Sequence, residues 1–324
     1  MKRPLKIRKL DLIFLSIISG LLLLIASVYA FNGFKARQSE MAASRSEQAA
    51  IQESVAQVQY SQSLAESQLT AARQMRPETD LDLEKIQALD NTDLEFWFTP
   101  GQPYQKERIQ PLPELQDSLA TDSVLWLGED KPDLFLTMDL GYEYNDNVTK
   151  ILDIAKEYGV KINFFLTGEF LESEPDKVKR MVAEGHLVGN HTYSHYLAPE
   201  LVENPDLFKE DIESLATDFK ALTGQDIAPY LRPPYGAFSE RSIAMNEYLG
   251  YYTVFWSFAY LDWDTNDQPD PAWALDNALG QLHNGSILLL HTISDTNVAI
   301  LPDLFKEAQA QGYTFKRLDE RLLP

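Results

Sequence analysis

The residues best equipped for chemistry are His191 and His195, in the run Asn190-His191-Thr192-Tyr193-Ser194-His195. Only five histidines occur in 324 residues, and two of them fall in this short stretch. If the backbone is helical, residues four apart share one face and both imidazoles can meet one cation. A polar turn carrying two solvated rings has the same spacing, so the spacing alone does not separate the two readings. Four other segments set ionisable groups beside apolar runs: Asp139 in Thr137-Met138-Asp139-Leu140-Gly141-Tyr142-Glu143, Arg232 in Leu231-Arg232-Pro233-Pro234-Tyr235-Gly236, Asp262 in Ser257-Phe258-Ala259-Tyr260-Leu261-Asp262-Trp263, and His291 after Leu288-Leu289-Leu290. Each alone has a plainer explanation, such as a helix cap, a turn or a satisfied core histidine. Together they form a set that could activate water and deliver a proton.

The elements that must position these groups are legible as short apolar runs alternating with helical stretches from about Val124 onward. Strands are expected over 134–138, 162–166, 187–188, 230–231, 252–256 and 287–290. Helices are expected over 147–158, with Gly159 as its stop, and over 175–184, 208–222, 239–248 and 272–282. Strand-helix alternation at this spacing implies an α/β fold with a parallel sheet, either open and doubly wound or closed into a distorted barrel. In a barrel, active groups sit where strands end, and all five segments lie at or near strand ends.

Composition narrows the partners. The net charge of -21 argues against nucleic acid held by bulk electrostatics. Cysteine is absent, so any transition metal would sit on histidine and carboxylate ligands. Residues 1–11 form a basic tail, and residues 12–31 are an uncharged, mostly apolar run long enough to span a bilayer. The positive flank predicts a single-pass anchor in the cell membrane with the rest of the chain outside; a cleaved signal peptide is the competing reading. Residues 32–78 read as a helical stalk or linker. A weak heptad seam there (Ile51, Val55, Val58, Gln62, Ala65, Leu69, Ala72) would allow a weak homo-oligomer, and a disordered polar linker is the other reading. Residues 79–123, rich in Pro and aromatics, read as a segment strapped onto the domain at 124–324.

The five segments, in this order, resemble the motifs of the polysaccharide deacetylases of the NodB-homology type, a family of metal-dependent carbohydrate esterases. The resemblance runs from about Pro132 to Leu318. The forms Asp139-Leu140-Gly141-Tyr142-Glu143, Ser257 to Trp263 and Leu290-His291-Thr292 look closest to the branch that removes acetyl groups from peptidoglycan muramic acid on the way to the δ-lactam. That resemblance implies a distorted (β/α) barrel with fewer than eight strands and a cell-wall glycan substrate. It implies that His191 and His195 hold a divalent metal, zinc foremost, and that Asp139 is the general base with Arg232 as its partner. Tyr235 would offer a backbone N–H to the oxyanion, His291 would be the general acid held by Asp262, and Trp263 and Leu290 would wall the pocket for the acetyl methyl.

One position departs from the family pattern. The usual motif has a second Asp directly after the base, as third metal ligand, where this chain has Leu140. The remaining metal positions would fall to Asp139, Glu143 or water, and Leu140→Asp would be expected to tighten metal binding. The departure also opens a second reading, a catalytically impaired protein that binds wall glycan without turning it over.

Overall fold

The computed structural model describes Gln52, residues 80–106 and residues 108–322. The expected anchor at 12–31 lies outside the described residues, as does the stalk at 32–78 apart from Gln52. From residue 80 onward the chain falls in one compact unit, Ser61–Pro324.

An eight-stranded, all-parallel sheet forms the frame: β1 Val124–Leu125, β2 Asp133–Leu140, β3 Asn163–Leu166, β4 Leu187–Asn190, β5 Tyr230–Leu231, β6 Tyr252–Val254, β7 Ser286–His291 and β8 Thr314–Phe315. Its order is β7-β2-β3-β4-β5-β6-β1, with β8 paired to the start of β2. The sheet curls as a half-barrel, and its seam is bridged by single contacts rather than by a ladder. Phe258, beyond β6, bridges Leu288 of β7, with the Leu289 N–H donating to the Phe258 carbonyl at 2.8 Å.

Alternation along the strands sorts side chains into two layers. In β2, Leu134, Leu136, Met138 and Leu140 face the apolar layer shared with the helices, among them Val148, Ile151 and Leu152 of helix Asn147–Glu157. Phe135 faces the other way, packing with Phe165, Tyr230, Val254 and Ile287. Helices Pro175–Ala183, Pro205–Thr223, Glu240–Tyr248 and Pro271–Gly280 follow the expected runs. Pro205–Thr223 starts earlier than its apolar period suggests, because Asn204 caps it and Pro205 suits its first turn. Helix Asp295–Ala310, capped by the Ser294 side chain, is an element that the sequence reading did not anticipate.

Residues 94–99 lie against the sheet. Leu94–Glu95 pairs antiparallel with Ala237–Phe238, and Phe96 is fully buried, stacked on Phe255 with centroids 4.3 Å apart.

Candidate active site

At the C-terminal rim of the sheet, Asp139 is the penultimate residue of β2 and His291 ends β7. The two are direct partners across the β2–β7 ladder, so their side chains rise on the same face about 4.8 Å of strand spacing apart. Arg232 leaves β5 and is fully buried; its Nη1 meets the Asp139 Oδ1 at 2.8 Å and its Nη2 donates to the Thr137 Oγ1 at 2.8 Å. Carbonyls of Val254 and Phe255 accept from the same guanidinium at 3.3 Å each, and the Phe165 ring lies 4.4 Å below it. Burial alone would raise the pKa of Asp139. The charge of Arg232 outweighs that, with His191 and His291 adding to it, and the carboxyl is held below the usual carboxylate range.

His191 follows β4. Its Nδ1 lies 2.8 Å from the Arg232 carbonyl, which can only accept, so Nδ1 carries the proton and Nε2 keeps its lone pair. That Nε2 sits 3.5 Å from the Asp139 Oδ2. Burial pushes both imidazoles toward the neutral form, His195 down to about 4.

His195 does reach His191, with ring centroids 4.9 Å apart, but not by helical spacing. Residues 191–197 form an irregular loop, with Thr192 at φ +66° and His195 at φ +57°. Side chains hold this turn: Asn190 accepts the Thr192 N–H at 2.8 Å, Thr192 Oγ1 the His195 N–H at 3.0 Å, and Asp211 the N–H groups of Tyr193 and Ser194. A helix is disfavoured where the side chains of Asn, Thr and Asp compete for backbone donors.

On the opposite side, the fully buried Asp262 accepts from the His291 Nδ1 at 2.6 Å and from the His291 backbone N–H at 2.8 Å. Asn297 Nδ2 donates to the same carboxylate at 2.6 Å, and Tyr260 donates its hydroxyl to Asn297. Burial alone would lower the pKa of His291, but the charge and hydrogen bond of Asp262 prevail and raise it. With Nδ1 committed, Nε2 is the nitrogen left for the cavity.

Asp139, His191, His195 and His291 line one cavity of about 480 Å³, which also takes in Glu95, Trp97, Tyr235, Trp263 and Leu289, while Arg232 and Asp262 lie buried behind it. Tyr235, at φ +61°, lays its ring 4.8 Å from that of His195. A larger cleft of about 870 Å³, lined by Tyr193, Tyr196 and Asp206 among others, contains none of Asp139, His191, His195 or His291 and is less suited to chemistry.

Three expectations need correction. Leu290 is fully buried in the layer under the helices and does not line the cavity; Leu289 does, because alternation turns Leu289 and His291 to one face and Leu290 to the other. Leu140 is likewise fully buried among those helix-facing residues, on the face opposite Asp139. A carboxylate there would enter apolar core rather than the metal position. Glu143 is no ligand candidate either: its carboxylate pairs with Lys177 at 2.7 Å and accepts the Tyr144 N–H at 2.9 Å. Conversely, Thr137, Asn297 and Glu95 went unnoticed in the sequence. Thr137 was findable, since it lies two residues before Asp139 on the same strand face. Asn297 carries no local signal.

The donor chemistry suits a divalent cation: two imidazoles kept neutral, one with its Nε2 lone pair fixed toward a carboxylate. Among the described residues, however, no group of three or more His, Asp or Glu side chains is disposed to hold a metal ion.

Comparison with known proteins bears on the family and the fold. Residues 128–254 match the family model for polysaccharide deacetylase. The chain is 39% identical over 209 residues to the peptidoglycan-N-acetylmuramic acid deacetylase PdaA of Bacillus subtilis, covering 64% of this chain and 78% of that one. The solved structure of that protein, described as a family 4 carbohydrate esterase, superposes with a TM-score of 0.67 at 34% identity, covering 72% of this chain and 98% of that chain. A family 4 carbohydrate esterase from Bacillus anthracis gives a TM-score of 0.59 at 36% identity, with 72% and 98% covered.

Proposed function

This chain belongs to the polysaccharide deacetylase family, and from that premise we propose that it hydrolyses the acetamido group of an amino sugar in bacterial cell-wall glycan. The observation that carries the reading is the pairing of Asp139 and His291 on one rim, the first kept ionised beside Arg232 and the second kept protonated beside Asp262. Amide hydrolysis needs both states at once, a base for water and an acid for a poor leaving group. Asp139 takes a proton from the attacking water, the water oxygen bonds to the acetyl carbon, and the C–N bond breaks as His291 gives its Nε2 proton to the amine. Acetate and a free amino sugar result. The backbone N–H of Tyr235 serves the developing oxyanion. Trp263 flanks the sugar, and Leu289 takes the place beside the acetyl methyl.

His191 and His195 are the residues that would hold a divalent cation, zinc by the preference of neutral imidazole donors. When bound, such an ion supplies polarisation of the amide carbonyl and makes a nearby water more acidic. The basic tail and apolar run support a further part of the proposal, that residues 12–31 anchor the chain in the cell membrane, with 32–78 as a stalk and the deacetylase domain at 124–324 outside.

The experiment is acetate release from wall-glycan fragments by the purified protein, with added zinc, after chelation, and with His191→Ala. Release that depends on metal and on His191 is the expected result. A second reading, a glycan binder without turnover, is favoured by the lack, among the described residues, of a third side chain grouped with His191 and His195 to hold a metal. It would be adopted if fragments bind and no acetate appears.

A further inference from the structure

Residues 94–99 lie upstream of the span that the family model matches, yet Glu95 and Trp97 line the active-site cavity. With Phe96 buried, strand alternation turns its two neighbours together to the other side. The segment is pinned at both ends. Leu94–Glu95 forms a ladder with Ala237–Phe238, and the Phe96 N–H donates to the Gly236 carbonyl at 2.9 Å. Phe98–Thr99 pairs with Gln110–Pro111, and the Trp97 carbonyl accepts the Leu112 N–H at 3.1 Å.

This frame holds the Trp97 indole in one orientation. The ring stacks on Phe98 with centroids 5.2 Å apart and meets Trp256 edge-on at 6.3 Å, while 39% of the residue stays exposed. Trp256 in turn lies 5.7 Å from the guanidinium carbon of Arg232, so a single ring links Trp97 to the Asp139–Arg232 pair. Trp97 therefore belongs beside the reacting groups rather than among them. Tyr142, Tyr235 and Trp263 are exposed on the same cavity, and its mouth gathers apolar surface that a merely solvated wall has no need of. A pyranose carries C–H groups on its faces and hydroxyls around its edge. A pre-ordered indole suits the first, and the exposed carboxylate of Glu95 accepts from the second.

We propose that Trp97, with Glu95 beside it, forms a binding subsite for the sugar next to the one that is deacetylated, so that the protein recognises linked N-acetylhexosamines rather than a single one. The inference rests on the deacetylase reading for its class of ligand, and it concerns recognition rather than the chemical step.

The test is isothermal titration of the full-length protein, with a chelator present to prevent turnover. The probes are N-acetylmuramic acid and a peptide-free wall-glycan tetrasaccharide. The wild type is expected to bind the tetrasaccharide at least about tenfold more tightly than the single sugar. Trp97→Ala should weaken the tetrasaccharide about tenfold and the single sugar less than about twofold. Trp97→Phe, which keeps a ring to pack on Phe98, should recover most of the loss. Equal affinities for the two probes in the wild type, equal effects of Trp97→Ala on both, no effect on either, or no binding of the tetrasaccharide would overturn the proposal. Acetate release with zinc, counted in parallel, reports separately on the deacetylase reading. A tetrasaccharide preference governed by Trp97 without acetate would retain the subsite and reject the hydrolytic role.

Discussion

Asp262 grips His291 twice, accepting from Nδ1 at 2.6 Å and from the backbone N–H of the same residue at 2.8 Å. Ring and main chain are thereby fixed to one buried carboxylate. Burial depresses the imidazole pKa and Asp262 more than restores it. In Asp262→Asn the restoring charge is lost and burial prevails, so the acid form of His291 should disappear at lower pH. The alkaline limb of the pH–rate profile should move to lower pH, and kcat at neutral pH should fall about 10²–10³-fold. A profile that keeps its alkaline limb would remove His291 from the acid role.

Arg232 and Asp139 are a buried pair of opposite sign, so truncating one partner strands the other. Arg232→Met should cost about 3–5 kcal/mol in chemical denaturation. The double substitution with Asp139→Asn should recover part of that loss while remaining inactive. Equal stability of the single and double variants would contradict the coupling.

Leu140→Asp places a carboxylate in the layer beneath the helices, among Met138, Leu166 and Val148. It should lower stability by about 3 kcal/mol or more, through an unpaired charge in apolar packing. Zinc affinity measured by titration should not improve. Tighter zinc binding with unchanged melting temperature would mean that position 140 faces the site after all.

His186 gives a pH-dependent stability term away from the site. It is buried, and its Nδ1 accepts the Ile162 N–H at 3.0 Å, which requires the neutral ring. Burial, with the charges of Lys161 and Arg317 behind it, lowers its pKa from 6.5 to about 3. The folded state therefore stays neutral where the unfolded chain takes up a proton. Stability from this group is complete above pH 6.5 and declines as pH falls from 6.5 toward about 3, by up to ~5 kcal/mol in all. Denaturation curves at successive pH values should show a smaller acid loss in His186→Gln. An identical acid loss in both proteins would place the sensitivity elsewhere.

Much of this site is legible in the sequence because it depends on strand ends. The apolar runs before Asp139, Arg232 and His291 announce buried parallel strands, and polar residues just beyond them fall on the rim. Alternation explains what was misjudged at Leu140 and Leu290: a residue adjacent to a catalytic one in a strand points to the opposite layer. The histidine loop could not be read from spacing, because its geometry comes from side chains of Asn190, Thr192 and Asp211 satisfying backbone donors. Asn297 and Glu95 reach the site through long-range packing, by a helix after β7 and by a ladder to 237–238, and no local pattern encodes either contact.

The most direct test of the central claim is mass spectrometry of wall-glycan fragments incubated with zinc and the wild-type protein, Asp139→Asn or His291→Ala. The account predicts loss of one acetyl group per modified sugar with the wild type and little or none with either variant. Fragments left fully acetylated by the wild type, or deacetylated equally by all three proteins, would contradict it.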